Sequence, residues 1–258
     1  MHLLVRPHTA LAFFLLLAVF STEEGSAQRS VIPHGFAARY PGALTVGVSG
    51  GPLILLGSNG PTGTCDCVYD EGGGTGFNAG IAFDVYINPL LGLRVQGMFE
   101  SHAPVFSKNL TRDLYSSDGS PVTVEAERRF EADLRYAGIS MQLLWFTGAG
   151  DLFLTAGAGA GFFVDGTALD QETLNSPGVF YQQGSNRAVY HDGDLKDFAD
   201  PGLRASLIVG IGYDLALARG LALAPEVQLD VPLTSVTSEH SEWKQLALRF
   251  NAALRLGI

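Results

Sequence analysis

The stretch QLALRFNAALRLGI, residues 245–258, alternates strictly between apolar and polar or small side chains up to the last residue of the chain. Successive side chains of a β-strand point to opposite faces, so this segment has one wholly apolar face. Its other face carries two arginines, Arg249 and Arg255. The pattern therefore predicts a β-strand that separates an apolar environment from a polar one.

The same alternation recurs along the chain and predicts an all-β fold with eight strands. The first strand changes phase at Gly50-Gly51-Pro52, which we interpret as a β-bulge. The other predicted strands begin near residues 77, 91, 136, 152, 203, 221 and 245.

The predicted connections sort by length. Three are tight turns, at residues 88–90, 148–150 and 218–220, and four are long polar segments, at about residues 57–75, 102–129, 165–201 and 235–243. Alternate connections of an up-and-down barrel emerge at opposite rims. Short turns on one rim and long loops on the other are typical of an outer-membrane barrel, with both termini on the periplasmic side.

Alternation alone does not say whether the apolar face points outward to lipid or inward, as in a soluble lipocalin-like carrier of a hydrophobic ligand. Glycines crowd the polar parity, which suits the narrow lumen of an eight-stranded barrel. Charges on that parity also lie at matching heights, so we expect them to neutralise each other inside. The predicted lumen charge network pairs Asp230 with Arg249 and either Glu226 or Asp214 with Arg255, and it includes Arg204 without a nameable partner. These observations favour an outward apolar face.

The N-terminus predicts an exported protein. A short apolar run from Thr9 to Phe20, followed by small residues at Gly25 and Ala27, indicates a signal peptide over residues 1–27. Residues 28–42 then form a predicted N-terminal periplasmic segment, and residues 43–258 the barrel. The net charge of −10 argues against a nucleic-acid partner, because phosphate binding needs clustered Lys and Arg.

The turn and strand NPLLGLRVQGMF (residues 88–99), the closing strand and the eight-strand spacing together resemble the small outer-membrane β-barrel family of OmpA and OmpX type. The resemblance implies an antiparallel up-and-down transmembrane barrel in the bacterial outer membrane, without a cofactor. It implies a non-enzymatic structural, surface-binding or adhesion role through the long loops, which would meet an unknown extracellular ligand. Implied partners are outer-membrane lipid, lipopolysaccharide and the barrel-assembly machinery, which would recognise the chain end at Ile258.

Three local motifs could carry chemistry. Glu100, Ser101 and His102 resemble in residue type the sets of lipid A deacylases, but adjacent strand residues point to opposite faces, which argues against catalysis. Cys65 and Cys67 follow an export signal and could form a strained disulfide, whereas two thiolates alone do not make a zinc site. Oxygen ligands for a divalent cation could come from an acidic loop, although its spacing does not match an EF-hand. The aspartates of that loop are Asp192, Asp194, Asp197 and Asp200.

A conducting channel is disfavoured. Side chains fill the lumen of an eight-stranded barrel. The interior parity includes Tyr86, Met98, Phe153 and Phe163, which predict a plug of packed side chains.

Overall fold

The computed structural model confirms an all-β chain. It describes residues 44–57, 69, 71–115, 119–147, 151–176, 179–181, 184–218, 220–237 and 243–257. One short helix, α1 (Leu195–Phe198), accompanies the strands, and no helix among these residues is long and apolar enough to span a membrane. The strands are β1 (Leu44–Gly57), β2 (Glu71–Asn88), β3 (Leu91–Tyr115), β4 (Pro121–Phe146), β5 (Leu152–Leu174), β6 (Arg187–Asp194), β7 (Arg204–Tyr213), β8 (Leu215–Ala218), β9 (Leu221–Pro232) and β10 (Leu246–Gly257).

Eight of these strands close into an antiparallel ring. Pairing runs from β1 through β2, β3, β4, β5, β7 and β9 to β10, and β10 pairs back onto β1 from Thr45↔Gly257 to Leu56↔Leu246. The short strand β8 continues the path of β7 along β9, while β6 adds to β5 beyond the point where β7 begins. Closure leaves the ring without a sheet edge, so the predicted eight-stranded up-and-down barrel is confirmed.

The apolar face of the ring points outward. On β4 the outward side chains from Ala137 to Trp145 are apolar, and Met141 and Trp145 are 58% and 59% exposed. Other strands of the ring show the same exposed apolar face, with Phe83 on β2 and Val209 on β7 as examples. Nine residues of β4 cover this lipid band, which matches the roughly 9–11 residues that a strand needs to cross a bilayer. The lipocalin-like alternative, which needs an inward apolar face, is therefore wrong.

Beyond the lipid band the apolar side chains of β4 change from the outer face to the inner face. From Val124 to Leu134 the apolar side chains of β4 point inward, and charged residues such as Glu131 and Arg135 point outward. Water replaces lipid outside the barrel at this height, so the polar residues take the outer face. This change marks the extracellular edge of the lipid band, between Arg135 and Ala137.

Two of the predicted long loops are instead largely strands. The expected loop 102–129 is a hairpin in which β3 and β4 pair up to Tyr115↔Pro121. The expected loop 165–201 contains the end of β5, all of β6 and α1. We call residues 103–135 and 165–200 the extension. From Phe99 to Tyr115, β3 adds sixteen residues, or about 50 Å of strand length, beyond the band.

The bulge lies elsewhere than predicted. The pairing of β1 with β2 is continuous through Gly50-Gly51-Pro52, and its register with β10 is the same at Gly50↔Ala252 and Leu53↔Arg249, so that prediction is wrong. What changes there is the chemistry of the inward side chains, because Leu53 and Leu55 are apolar, point into the lumen and pack on Ala247. The register instead shifts in β5, where Arg135 pairs with Asp165 but Tyr136 pairs with Phe163. The extra residue, Val164, lets β5 follow the inversion at the membrane boundary.

The tight turn at residues 88–90 is confirmed at the periplasmic rim, where it connects β2 to β3. Residues 148–150 and 219, which belong to the other two predicted turns, lie outside the described residues. The predicted signal peptide and N-terminal segment, both cysteines and Ile258 lie outside the described residues.

Candidate functional site: a layered lumen and an external sheet

An aromatic plug fills the periplasmic end of the lumen. Tyr86, Phe146 and Phe153 are fully buried together with Leu144. The ring of Phe146 lies 5.8 Å from that of Tyr86 and 5.6 Å from that of Phe153, at tilted angles that aromatic pairs favour.

A lower charged layer rests on this plug. Arg94 donates from Nε to Asp84 at 2.9 Å and from Nη1 to Glu226 at 2.8 Å. Arg255 donates from Nη1 to Asp214 at 2.7 Å, and its guanidinium lies 4.8 Å from the centre of the Phe153 ring. Of the two partners predicted for Arg255, the structure brings Asp214 to it and gives Glu226 to Arg94.

Amides form the middle of the lumen. Gln228 donates to Glu226 at 2.8 Å and to Gln142 at 3.2 Å, and it accepts from Asn251 at 3.3 Å. All four side chains are buried. These hydrogen bonds compensate part of the cost of burying the polar groups, although Oδ1 of Asn251 has no hydrogen-bond partner.

An upper charged layer contains two carboxylates and two guanidinium groups. Arg204 donates from Nη1 to Glu100 at 2.5 Å and from Nη2 to Asp230 at 2.8 Å. Nη2 of Arg249 contacts Glu100 at 2.6 Å and also contacts Asp230. Glu100 and Arg204 thus face each other across the barrel, from β3 to β7.

The candidate catalytic residues separate as strand geometry requires. His102 is fully buried in the lumen, with Nε2 3.1 Å from Glu100 and Nδ1 3.0 Å from Gln245. Ser101 points to the outer face and donates to Asp133 at 3.4 Å. The hydroxyl and the imidazole therefore lie on opposite sides of the barrel wall.

A second apolar plug closes the extracellular end of the lumen. Phe106 and Phe130 on the barrel wall pack with Trp243, whose ring centre lies 5.5 Å from that of Phe130 in an edge-to-face arrangement. Segments from outside the ring complete the plug through Tyr69 and Leu195. The charged layers are therefore enclosed by packed side chains at both ends.

Sequence reasoning placed Arg204, Asp214, Glu226, Asp230, Arg249 and Arg255 on the lumen parity, and the structure places all six side chains inside. It missed Asp84 and Arg94 as members of the network. Both lie on the polar parity of their strands, so position alone could have identified them. It also missed the role of Glu100, because its partners lie across the barrel on strands far away in sequence.

The extension has a small core of its own. Val124, Ala126 and Leu174 are buried, and the partly buried Leu110 and Tyr181 pack on them. This core uses residues of β3, β4 and β5 and of the segment that follows β5. The sheet outside the membrane is therefore a packed structure.

Glu172 anchors that segment to the sheet. Arg112 donates to both of its carboxylate oxygens, at 2.8 and 2.7 Å, and the hydroxyls of Tyr181 and Tyr190 donate at 2.7 and 3.2 Å. Burial alone would raise the pKa of Glu172, but the hydrogen bonds from Arg112 and Tyr181 lower it below its ordinary value. For Tyr181 itself, burial and the bond to this carboxylate raise the phenol pKa.

A second arginine–carboxylate pair in the extension also involves Tyr190. Arg128 donates from Nε and Nη2 to Asp170 at 2.9 and 2.5 Å, and its guanidinium lies 4.6 Å from the centre of the Tyr190 ring. Bidentate pairs between arginine and carboxylate are geometrically specific, so they fix the position of Tyr190 over the sheet.

The four aspartates proposed for a divalent cation are all exposed and are not brought together. Asp194 caps α1 by accepting from the backbone N–H of Lys196 at 3.0 Å. Within the described part of the chain, no three His, Cys, Asp or Glu side chains are placed to hold a metal ion. The cation site predicted from Asp192, Asp194, Asp197 and Asp200 therefore has no geometric support.

The exposed surface of the extension is acidic. Among the described residues of the extension that are exposed or half-exposed, ten are acidic and five are basic. Arg112 is not counted among the basic ones, because it is bound to Glu172. The acidic ones are Asp113, Glu125, Glu127, Glu131, Asp133, Asp165, Asp192, Asp194, Asp197 and Asp200, and the basic ones are Lys108, Arg129, Arg135, Arg187 and Lys196. Three exposed aromatic side chains, Tyr115, Phe180 and Tyr190, add apolar area.

A closed antiparallel ring with an apolar outer band and a polar packed interior defines an eight-stranded outer-membrane β-barrel, located in the bacterial outer membrane. No family model and no curated protein matches the chain. Among solved structures, it is similar to Neisserial surface protein A at 13% identity, with a TM-score of 0.38 and coverage of 83% of this chain and 96% of that one. It is also similar to Ail of Yersinia pestis in complex with the heparin analogue sucrose octasulfate (14% identity, TM-score 0.38, coverage 84% and 99%). The outer membrane protein OprG from Pseudomonas aeruginosa matches at 8% identity, with a TM-score of 0.39 and coverage of 84% and 98%.

Proposed function

We propose that this protein is a non-enzymatic, non-conducting scaffold that presents the extension to a macromolecular partner outside the cell. The observation that carries the proposal is the packed sheet beyond the lipid band. Loops on rigid scaffolds commonly carry binding function, and here the scaffold itself continues outward.

The closed lumen supports the same proposal by exclusion. A transport path would have to cross both apolar plugs and the two layers of buried ion pairs. His102 and Glu100 are enclosed in the lumen, so a substrate outside the barrel does not reach them. Binding on the external surface is then the function that the exposed residues support best.

The partner favoured by the surface is a protein with a basic face. Acidic side chains outnumber basic ones two to one on the exposed extension, and opposite charge accelerates and orients association. Tyr115, which is 76% exposed, and Phe180 supply the kind of aromatic contacts that dominate binding energy at interfaces.

Contacts with lipopolysaccharide and with the barrel-assembly machinery are part of the proposal. Arg135 lies on the outer face two residues beyond the lipid band, and Arg129 lies on the same face six residues further out along β4. Guanidinium groups bind phosphate well, so Arg135 is the proposed contact with lipopolysaccharide phosphates next to the bilayer and Arg129 a proposed contact further out. The closing strand β10 is the proposed element for assembly recognition.

The test is adhesion of bacterial cells that display the full chain to surfaces coated with a basic protein such as lysozyme or histone, with acidic serum albumin as the control surface. One variant replaces residues 109–127 with an Asn-Gly turn, which joins the paired residues Lys108 and Arg128 in a two-residue hairpin. A second variant, Tyr115→Ser with Phe180→Ser, leaves the sheet intact. We expect adhesion of the full chain, weakened by salt, and its loss in both variants.

Folding of each variant is checked by the shift in gel mobility on heating, which reports the closed barrel. Adhesion that survives in the folded, trimmed variant would contradict the proposal, as would the absence of adhesion to every surface tested.

A further inference from the structure

One cavity of about 20 Å³ interrupts the packed lumen beside the upper charged layer. Its polar lining comes from Glu100, Arg249 and Tyr136, together with Arg204 and Ser206. Gly138, Gly159 and Gly161 form the wall opposite, where the absence of side chains leaves the space. A cavity needs roughly 10–15 Å³ to hold one water molecule, so this one has room for a molecule of that size.

Two side chains that line the cavity have polar atoms without a hydrogen-bond partner. These atoms are Nε and Nη1 of Arg249 and the hydroxyl of Tyr136. Oε1 of Glu100 lies 2.6 Å from Nη2 of Arg249 and, as a carboxylate oxygen, can accept a further hydrogen bond. Each of these side chains is at most 3% exposed. Leaving a buried polar atom unsatisfied costs about 1–3 kcal/mol, so their convergence on one cavity points to a bound molecule.

The lining selects the chemistry of that molecule. The Arg249 nitrogens can only donate, the Glu100 carboxylate can only accept, and the Tyr136 hydroxyl can do either. The layer beside the cavity holds two carboxylates and two guanidinium groups. An anion would be repelled by Glu100 and a cation by Arg249, whereas a small neutral molecule that both donates and accepts satisfies all of them.

We propose that this cavity is a built site for one internal water molecule, which accepts from Arg249 and donates to Glu100. The water completes the upper charged layer and joins its ion pairs to the Tyr136 hydroxyl. Because the apolar plugs lie above and below, exchange of this water with bulk solvent requires opening of the lumen. The site is independent of any partner that the extension binds.

Gly161→Ala tests the proposal, because it should raise the stability of the barrel if the cavity is dry and lower it if the cavity holds water. A Cβ at Gly161 would lie 3.7 Å from both Arg204 Cβ and Tyr136 Cβ, which is ordinary contact, so the methyl group fits beside the cavity. Alanine in place of glycine in a strand should stabilise a dry cavity by filling it. If the methyl displaces a water, it leaves Arg249 and the Tyr136 hydroxyl unsatisfied and destabilises the barrel.

The matched control is Gly97→Ala, because a Cβ there meets nothing within 4 Å. We expect the unfolding constant of Gly161→Ala to rise about tenfold relative to this control, in urea titrations of the full chain in lipid vesicles. Stabilisation of Gly161→Ala equal to or greater than that of the control would show that the cavity is dry and would overturn the proposal.

Nuclear magnetic resonance in nanodiscs supplies a second readout. We expect cross-relaxation between water and Tyr136 protons in the wild type and its loss in Gly161→Ala. Sulfate stabilises folded proteins in general, so the difference in stability between sulfate and chloride at equal ionic strength should be the same in the wild type and in Gly161→Ala. Stability that depends on chloride, with the dependence removed by Gly161→Ala, would identify an anion instead and refute the neutral occupant.

Discussion

Asp230→Asn should be one of the most destabilising conservative substitutions in the barrel. The Asp230 side chain is fully buried and accepts from Arg204 at 2.8 Å and from Arg249. The amide has the same shape but no charge, so two buried guanidinium groups would share Glu100 alone. Breaking a buried ion pair costs about 3–5 kcal/mol, because the remaining charge loses its compensation.

The matched control is Glu131→Gln on the outer face of the extension. Its partner Arg129 lies 2.8 Å away, but the two side chains are 47% and 37% exposed. Exposed pairs contribute about 0–1 kcal/mol, so the same chemical change should have little effect there. The two substitutions therefore differ in burial and not in kind.

Urea unfolding in lipid vesicles measures both, with the fluorescence of Trp145 in the lipid band and Trp243 in the extracellular plug as probes. For a slope of about 2–3 kcal/mol per molar urea, Asp230→Asn should lower the midpoint by about 1–2 M. Adding Arg204→Met should recover part of the loss, because it removes one uncompensated charge. An Asp230→Asn midpoint that matches Glu131→Gln would refute the argument that the upper charged layer is desolvated.

Further predictions address the lipid band, the extension and the lumen. Met141→Arg places a charge near the middle of the band and should cost about 2–4 kcal/mol in the same unfolding assay, whereas Thr111→Arg, at an exposed position of the extension opposite Glu125, should cost almost nothing. The lowered pKa of Glu172 means that its contribution to stability is present above its ordinary pKa and is lost as the pH falls through the lowered value. Near-ultraviolet circular dichroism of the tyrosines, Tyr181 among them, should therefore change on acidification, and Glu172→Gln should abolish that pH dependence. In planar bilayers the intact protein should show no stable conductance, and discrete channel openings would contradict the packed lumen.

The alternation of the closing strand and its relatives was enough to predict the ring, the inside and outside of its wall and the tight turn at residues 88–90. The reason is that a side chain at the lipid face has only one acceptable chemistry, so each position there is informative. The predicted bulge at Gly50 was wrong for a related reason. Leu53 and Leu55 are apolar on the lumen parity, and sequence alone does not separate a change of register from a change of the neighbours inside.

The extension was missed because its pattern is the reverse of the membrane pattern. From Val124 to Leu134 the apolar parity is the lumen parity, so a search for outward apolar residues finds a loop there. The change of parity at Arg135 was visible in the sequence and is the signal that could have located both the strand and the membrane boundary. Partners across the lumen, such as Glu100 for Arg204, follow from the closed geometry and not from any sequence spacing.

The ion pairs that cross the lumen depend on closure of the ring, which pairing between two adjacent strands does not provide. Glu100 on β3 meets Arg204 on β7 and Arg249 on β10, and Arg94 on β3 meets Glu226 on β9. In a flat or half-curled sheet these groups would lie several strands apart and each would remain in water. Their contacts form only when β10 reaches β1, so the interior charges act as a check on ring closure: a wrongly closed or unclosed barrel is left with ionised groups that nothing compensates.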